Sequence, residues 1–187
     1  SPKRAFITDT HVLARHHDLG YEDLLSVSVR RDVVSKLHRV LEKQGLRLDL
    51  VDVDHFSAHT ALLLNYTDLA SKYIALVGSK SDRVDISLVR FNEMESFSYY
   101  ITSSTQMLID QIATLSKKTD GLHSILLFGA NLDEELLADI RRVSAVHVEL
   151  LNPFRNVDIK NSLPNMNDPT SLSYRYAAAV GVALRES

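Results

Sequence analysis

Tyr73-Ile-Ala-Leu-Val-Gly78, Ser79-Lys-Ser-Asp-Arg83, Val84-Asp-Ile-Ser-Leu-Val-Arg-Phe91, Asn92-Glu93 and Met94-Glu-Ser-Phe-Ser-Tyr-Tyr-Ile101 follow one another without a break. They read as strand, turn, strand, tight turn and strand. The first is an apolar run ending in Gly, the pattern of a strand buried on both faces. The third alternates, with Val84, Ile86, Leu88 and Arg90 to one side and Asp85, Ser87 and Val89 to the other. Asn92-Glu93 makes the tight turn without the Gly that commonly follows Asn in a hairpin. Three antiparallel strands need a cover, and the sequence on either side supplies it.

Downstream, residues 103–118 read as a helix with Met107, Leu108, Ile112 and Leu115 on its buried side. Gly121 ends a linker, and residues 122–128 form a strand with an almost wholly apolar centre. Gly129-Ala130-Asn131 is a tight turn. Residues 132–142 form a helix whose first turn carries Asp133, Glu134 and Glu135, where the macrodipole favours carboxylates. A last strand covers 146–151. Residues 152–170 are irregular, with Pro153, Pro164 and Pro169. Ser171 opens a closing helix over 172–185, whose Ala177, Ala178, Ala179, Gly181 and Ala183 let it lie close against a sheet. From Tyr73 the order is strand, strand, strand, helix, strand, helix, strand, helix. That is the order of a ribonuclease-H-like layer: a mixed five-stranded sheet with helices on both faces, an α/β fold.

Upstream, residues 1–23 are polar and hold His11, His16 and His17. They read as a weakly docking arm, with Phe6-Ile7-Thr8 as a short strand. Residues 24–29 alternate as a strand. Residues 31–44 place Val33, Val34, Leu37, Val40 and Leu41 on one helical face, with Asp32 near the start and Gly45 at the left-handed C-terminal cap. Residues 46–53 read as a second strand, giving a parallel pair joined by a right-handed crossover. Asp54 then caps a helix to about Asn65, with Phe56, Ala58, Leu62 and Leu63 available for packing. The expected division is therefore an arm at 1–23, a partial βαβα unit at 24–66 and a second unit at 67–187.

Composition narrows the function. A chain of 187 residues with 45% hydrophobic and 24% charged content suits an ordinary soluble globular protein. A net charge of -3 with no basic face evident from composition argues against nucleic acid as a partner. The absence of Cys excludes disulfides, thiolate catalysis and Cys-based zinc sites. No apolar run is long enough to insert across a membrane. The opening at Ser1 rather than Met points to a fragment or a processed chain.

Several short motifs resemble the actin-like ATPases of the PilM type. Leu25 to Arg31 followed by Leu46-Arg-Leu-Asp-Leu-Val51-Asp52-Val53-Asp54 is similar to the strand, helix and "valine-aspartate" strand of that family. Ile74 to Val89 resembles its second phosphate-binding hairpin, and Ile125-Leu-Leu-Phe-Gly129-Ala130 its adenosine-binding turn. Asn152-Pro153-Phe154-Arg155-Asn156-Val157 resembles the loop that follows, and Tyr176-Ala-Ala-Ala-Val-Gly181-Val-Ala-Leu-Arg185 its closing helix. The resemblance spans residues 24–185. It implies a cytoplasmic scaffold of type IV pilus assembly, peripheral to the inner membrane through a partner whose short tail docks on it. A cytoplasmic scaffold domain of type II secretion is a related reading. It also implies nucleotide in a cleft between two halves. Gly78, Ser79, Gly129, Ala130 and Asn131 are then the nucleotide corner.

Two departures weaken that corner. The family's opening strands, with their first phosphate loop, have no counterpart here. The second hairpin carries Leu76-Val77-Gly78 where the family has an Asp to hold metal-bound water, and Mg2+ requires oxygen ligands. Ala130 stands where a second Gly would let backbone approach the nucleoside. The expectation is a degenerate corner with no catalytic residue, no metal, no bound ATP or Mg2+ and no ATPase activity in this chain. The alternative is a nucleotide-binding half that becomes an ATPase only with a missing N-terminal half.

Rival readings are weighed on particular residues. His55 and His59 lie four apart on a helix and could share a metal, but no Glu completes a metalloprotease arrangement, and a half-exposed helix face is the favoured reading. Asp52 is read as a strand-end carboxylate rather than a metal contact. Gly78-Ser79-Lys80-Ser81 is read as a polar hairpin turn rather than a phosphate nest. Asp85 and Asp110 lack the first-strand carboxylate of a two-metal nuclease. A two-stranded remnant of 24–29 and 46–51 leaves open edges, so a homodimer through residues 20–65 is expected. That region is also the favoured dock for a partner tail.

Overall fold

The apolar run that opens the deciding stretch becomes β3 (Tyr73–Ser79), buried along nearly its whole length. The computed structural model describes residues 5–16, 18–157 and 172–185. The expected irregular stretch beyond 157, with Pro164 and Pro169, lies largely outside the described residues, as do Ser171, His17 and residues 1–4. Contacts divide the chain into a unit up to Asp52 and a unit from Val53 onward.

In the second unit, β3 pairs antiparallel with β4 (Arg83–Arg90), which pairs antiparallel with β5 (Glu93–Ile101). On its other side β3 runs parallel to β6 (Ser124–Phe128), which runs parallel to β7 (His147–Leu150). The order is β5-β4-β3-β6-β7, the five-stranded mixed sheet expected. The tight turn sits one residue earlier than expected, at Phe91 and Asn92, with φ of 51° and 67°. Two left-handed residues match the twist of the flanking strands, so Arg90 pairs with Glu93 and the strand resumes at once. A bulge opposite Leu88 and Val89 leaves Glu95 out of register, where it meets Arg90 at 3.2 Å.

Helices cover both faces. α3 (Thr105–Lys118) starts at Ser104, whose Oγ accepts from Met107 N, and α4 (Glu134–Val143) starts at Asp133, whose carboxylate accepts from Leu136 N. Leu108 and Ile112 of α3 and Leu136, Leu137 and Ile140 of α4 pack on Ala75, Val77, Val84, Ile86, Ile125 and Leu127. Met107, expected on this buried side, is exposed, because Leu108 takes the inward position of that turn. The opposite face carries α2 (Asp54–Asn65) and α5 (Ala177–Leu184), which pack with Ile74, Leu76, Val89, Leu126 and Phe128. A short 3-10 turn, Ser173–Tyr176, leads into α5. Each fully buried Leu or Ile in these layers contributes about 2 kcal/mol.

α5 was expected against the sheet alone. Its closest neighbour is α2: a Cβ on Gly181 would overlap the carbonyl oxygen of Ser57. Ala58, Ala61 and Ala177 are all fully buried at this crossing. Small side chains on both helices therefore set the separation. Asp54, expected as the cap of α2, is its first helical residue, and Val53 holds the cap position without a side-chain bond.

The loop after β7 is fastened to the end of α2. Asn152 N donates to Tyr66 Oη at 2.9 Å, and Asn152 Oδ1 accepts from Phe154 N at 3.0 Å. Asn156 N donates to Asn65 Oδ1 at 2.8 Å. Arg155 forks onto Asp68 at 2.7 and 3.1 Å and lies over the Tyr66 ring. The Asp68 fork raises the Arg155 pKa, and burial raises that of Tyr66.

The first unit departs from expectation. Residues 46–53 form no strand, so no parallel crossover pair exists there. The expected arm is instead a strand: β1 (Phe6–His16) pairs antiparallel with β2 (Tyr21–Arg30) through a turn containing Gly20 at φ 70°. A hairpin needs only a short turn, whereas a crossover pair must close a longer loop before any ladder bond forms. α1 (Arg31–Lys43) follows, with Gly45 left-handed as expected. None of residues 5–13 and 18–52 is buried. α2, grouped with residues 24–53 in the sequence reading, belongs to the second unit because its apolar face is covered by the sheet and α5.

Candidate functional site

Two strand ends meet at one edge of the sheet. β3 finishes at Gly78 and Ser79, and β6 finishes at Phe128 before the Gly129 bend. Gly78 pairs with Phe128 in the parallel ladder. Gly129 has φ 118°, and a Cβ there would overlap the Ser79 carbonyl. Gly is required on both counts. Gly78, Ser79 and Gly129 are thus brought together, while Ala130 and Asn131 stand exposed in the turn beside them.

The corner is filled by the chain's own groups. A Cβ on Gly78 would stand 2.7 Å from Cζ of the Phe128 ring, so that ring lies over the glycine. Gly129 N donates to the Tyr174 carbonyl at 3.2 Å, and Tyr174 Oη donates to the Leu132 carbonyl at 2.9 Å. Tyr174 is buried there. The turn's backbone groups are therefore tied to the segment before α5.

The hairpin after β3 is closed by Lys80 N donating to Arg83 O at 3.0 Å. Lys80 Nζ donates to Asp54 Oδ1 at 2.5 Å and forms an ion pair with Asp85. Arg83 Nε meets Asp85 Oδ1 at 3.1 Å. Asp85 is only 1% exposed, so a buried carboxylate is matched by two cations. Lys80 faces carboxylates, which agrees with a polar hairpin rather than a phosphate nest.

Beneath this cluster lies His55, fully buried rather than half-exposed as expected. Its Nε2 stands 2.9 Å from Ser87 Oγ. The ring is surrounded by Phe97 and Phe128, with centroids 5.1 and 5.4 Å away, and by Phe56. Burial, reinforced by the charge of Lys80, pushes its pKa down to about 3, so it is neutral. The inward step of α2 carries it there. Among the described residues no group of three or more His, Cys, Asp or Glu stands ready for a metal ion.

Val77, beside Gly78, is fully buried in the layer under α3 and α4. It offers no oxygen to a hydrated cation, and the corner's carboxylates, Asp54 and Asp85, are engaged by Lys80. The residues here do not fit Mg2+ with a nucleotide. The sequence reading missed Tyr174, Asp54, Asp85 and His55 as parts of the corner. Asp85 carried a signal: it is a carboxylate at an inward register of a strand, with Lys80 and Arg83 just before it.

The first unit has a separate feature, an open groove of about 460 Å³ between α1 and residues 48–51. Ile7, Val34, His38, Leu48, Leu50 and Val51 line it. No helix among the described residues is long and apolar enough to cross a membrane.

No family model and no curated protein matches the sequence. Solved structures do match. A chain of the PilM-PilN type IV pilus biogenesis complex superposes with a TM-score of 0.75 at 14% identity, covering 99% of this chain and 68% of that one. A protein of actin-like ATPase fold and unknown function from Bacteroides thetaiotaomicron gives 0.51 at 13% identity, covering 83% and 58%. The ethanolamine utilization protein EutJ from Carboxydothermus hydrogenoformans gives 0.51 at 12% identity, covering 83% and 61%. The chain thus spans between 58% and 68% of these three proteins. Likeness at such identities is likeness of fold, and the fold of this chain is that of the actin-like ATPases.

Proposed function

We propose that this chain is a docking scaffold of the PilM kind that works by holding protein partners and does not itself hydrolyse ATP. The observation that carries the reading is Val77, sealed in the core beside Gly78, where the resemblance calls for a metal-holding Asp. The ring of Phe128 over Gly78, the carboxylates around Lys80 and the Tyr174 tie on Gly129 support it. A nucleotide at Gly78, Ser79, Gly129, Ala130 and Asn131 would have to displace these contacts.

The partner in this reading is the short tail of an inner-membrane pilus assembly protein, which places the scaffold at the cytoplasmic face of that membrane. Residues 20–65 are its dock, and the groove beside α1 is the site, where Val34, Leu48, Leu50 and Val51 suit the apolar side chains of a short segment and Arg31, Arg39 and Asp49 its polar ones. The same region joins two copies of the chain, because among the described residues no third strand pairs with either edge of the β1–β2 ladder. Phosphate release from Mg-ATP tests the enzymatic half of the proposal. The expected rate for the chain alone equals the protein-free blank. Steady release proportional to enzyme concentration contradicts it.

A further inference from the structure

α1 carries an apolar stripe that no described residue of its unit covers. Val33, Leu37 and Val40 recur at helical spacing and are 52%, 44% and 59% exposed. Of the groove's α1 residues, Ser35 and His38 lie on the other side of the helix, and Val34 stands between them and the stripe. Lys36 and Lys43 border the stripe along one side, one turn apart from its valines and leucine. The charge around it runs against that of the chain. Residues 30–49 hold Arg30, Arg31, Lys36, Arg39, Lys43 and Arg47 against Asp32, Glu42 and Asp49, in a protein of net charge -3; Arg30 pairs with Asp32 and Arg47 with Asp49, while Lys36 and Lys43 flank the stripe.

We propose that α1 lays this stripe on a membrane surface rich in anionic lipid. A helix of modest overall hydrophobicity, with one apolar stripe and a Lys/Arg-rich remainder, lies in the plane of such an interface. Its lysines reach toward lipid phosphates while their stems follow the apolar boundary. Nucleic acid would use the cations and leave the stripe in water. A second copy packed antiparallel on the same stripe would set Lys36 and Lys43 beside their own counterparts. The lipid surface satisfies both the stripe and the charge. The lipid-facing stripe borders the groove at Val34 but does not need a tail in it.

Co-sedimentation of the full chain with vesicles tests this, comparing phosphatidylcholine alone with phosphatidylcholine carrying about one third phosphatidylglycerol. The expected result is retention on the anionic vesicles only, with release as salt is raised. Leu37→Glu and Val40→Glu each lower retention about tenfold or more. The pair Lys36→Glu and Lys43→Glu does the same, while Lys117→Glu with Lys118→Glu on α3 leaves retention unchanged. All these side chains are exposed, so far-UV circular dichroism should match the parent. Equal retention on both vesicles, equal loss with the α3 pair, or retention on neither overturns the proposal. The last outcome would leave the stripe to an acidic protein helix.

Discussion

His55 shows how one buried side chain ties sequence to stability. It is neutral because desolvation and the nearby Lys80 charge disfavour its proton, holding its pKa near 3 against an ordinary value of 6.5. Between these values the unfolded chain binds the proton and the folded chain does not. The His55 contribution is therefore complete above about pH 6.5 and lost as pH falls toward 3, on the order of 4 kcal/mol over the whole span. His55→Phe keeps an aromatic ring among Phe56, Phe97 and Phe128 and should flatten that limb. In urea unfolding near pH 7 and about pH 4.5, the parent should lose about 2 kcal/mol more stability than the variant. Equal losses would mean that His55 already shares its proton with solvent in the fold. The loss of the Ser87 hydrogen bond shifts both pH values alike and does not change the slope. His55 was legible only as half of a helical pair; that it turns inward depends on the register of α2 over β4, which no local pattern states.

Elements were legible where one periodicity served one surface. The five strands of the sheet and helices α3 and α4 were read correctly because each buries a continuous apolar set against one neighbour. Residues 46–53 misled because Leu46, Leu48, Leu50 and Val51 alternate as a strand does, yet no partner edge receives them. β1 was legible only as a short strand at Phe6-Ile7-Thr8 because the rest of its side chains are mostly polar, and its ladder is held by backbone pairing to β2. The closing helix was read correctly as small, but its partner was not: a gap wide enough only for hydrogen at Gly181 is filled by Ser57 of α2. Gly181→Ala should therefore force the two helices apart and lower stability by about 1–3 kcal/mol in chemical denaturation. Ala179→Ser, on the exposed side of the same helix, should change it by less than about 0.5 kcal/mol. A Gly181→Ala variant as stable as the parent would show that the crossing is looser than this packing implies.

At the scale of the whole molecule, the two units differ in what they bury. The second unit holds the apolar core, and its nucleotide-like corner is closed by Phe128, Tyr174 and the Lys80 ion pairs. Among residues 5–13 and 18–52 of the first unit none is buried, and they carry a groove and an apolar helix stripe. Sedimentation velocity should show a concentration-dependent dimer, weakened by a Pro placed at Val27 in β2, because a Pro within a strand removes a ladder donor. A single monomeric boundary at high concentration would argue against self-association through residues 20–65. The corner's composition was legible in Leu76-Val77-Gly78, but its closure was not, since Tyr174 lies far downstream in sequence. Calorimetric titration of the chain with Mg-ATP puts the central claim to the most direct test. The account predicts no saturable heat at ligand concentrations up to the millimolar range, because bound nucleotide would have to displace the Phe128 ring and the Tyr174 tie. Saturable binding with a micromolar Kd would contradict it.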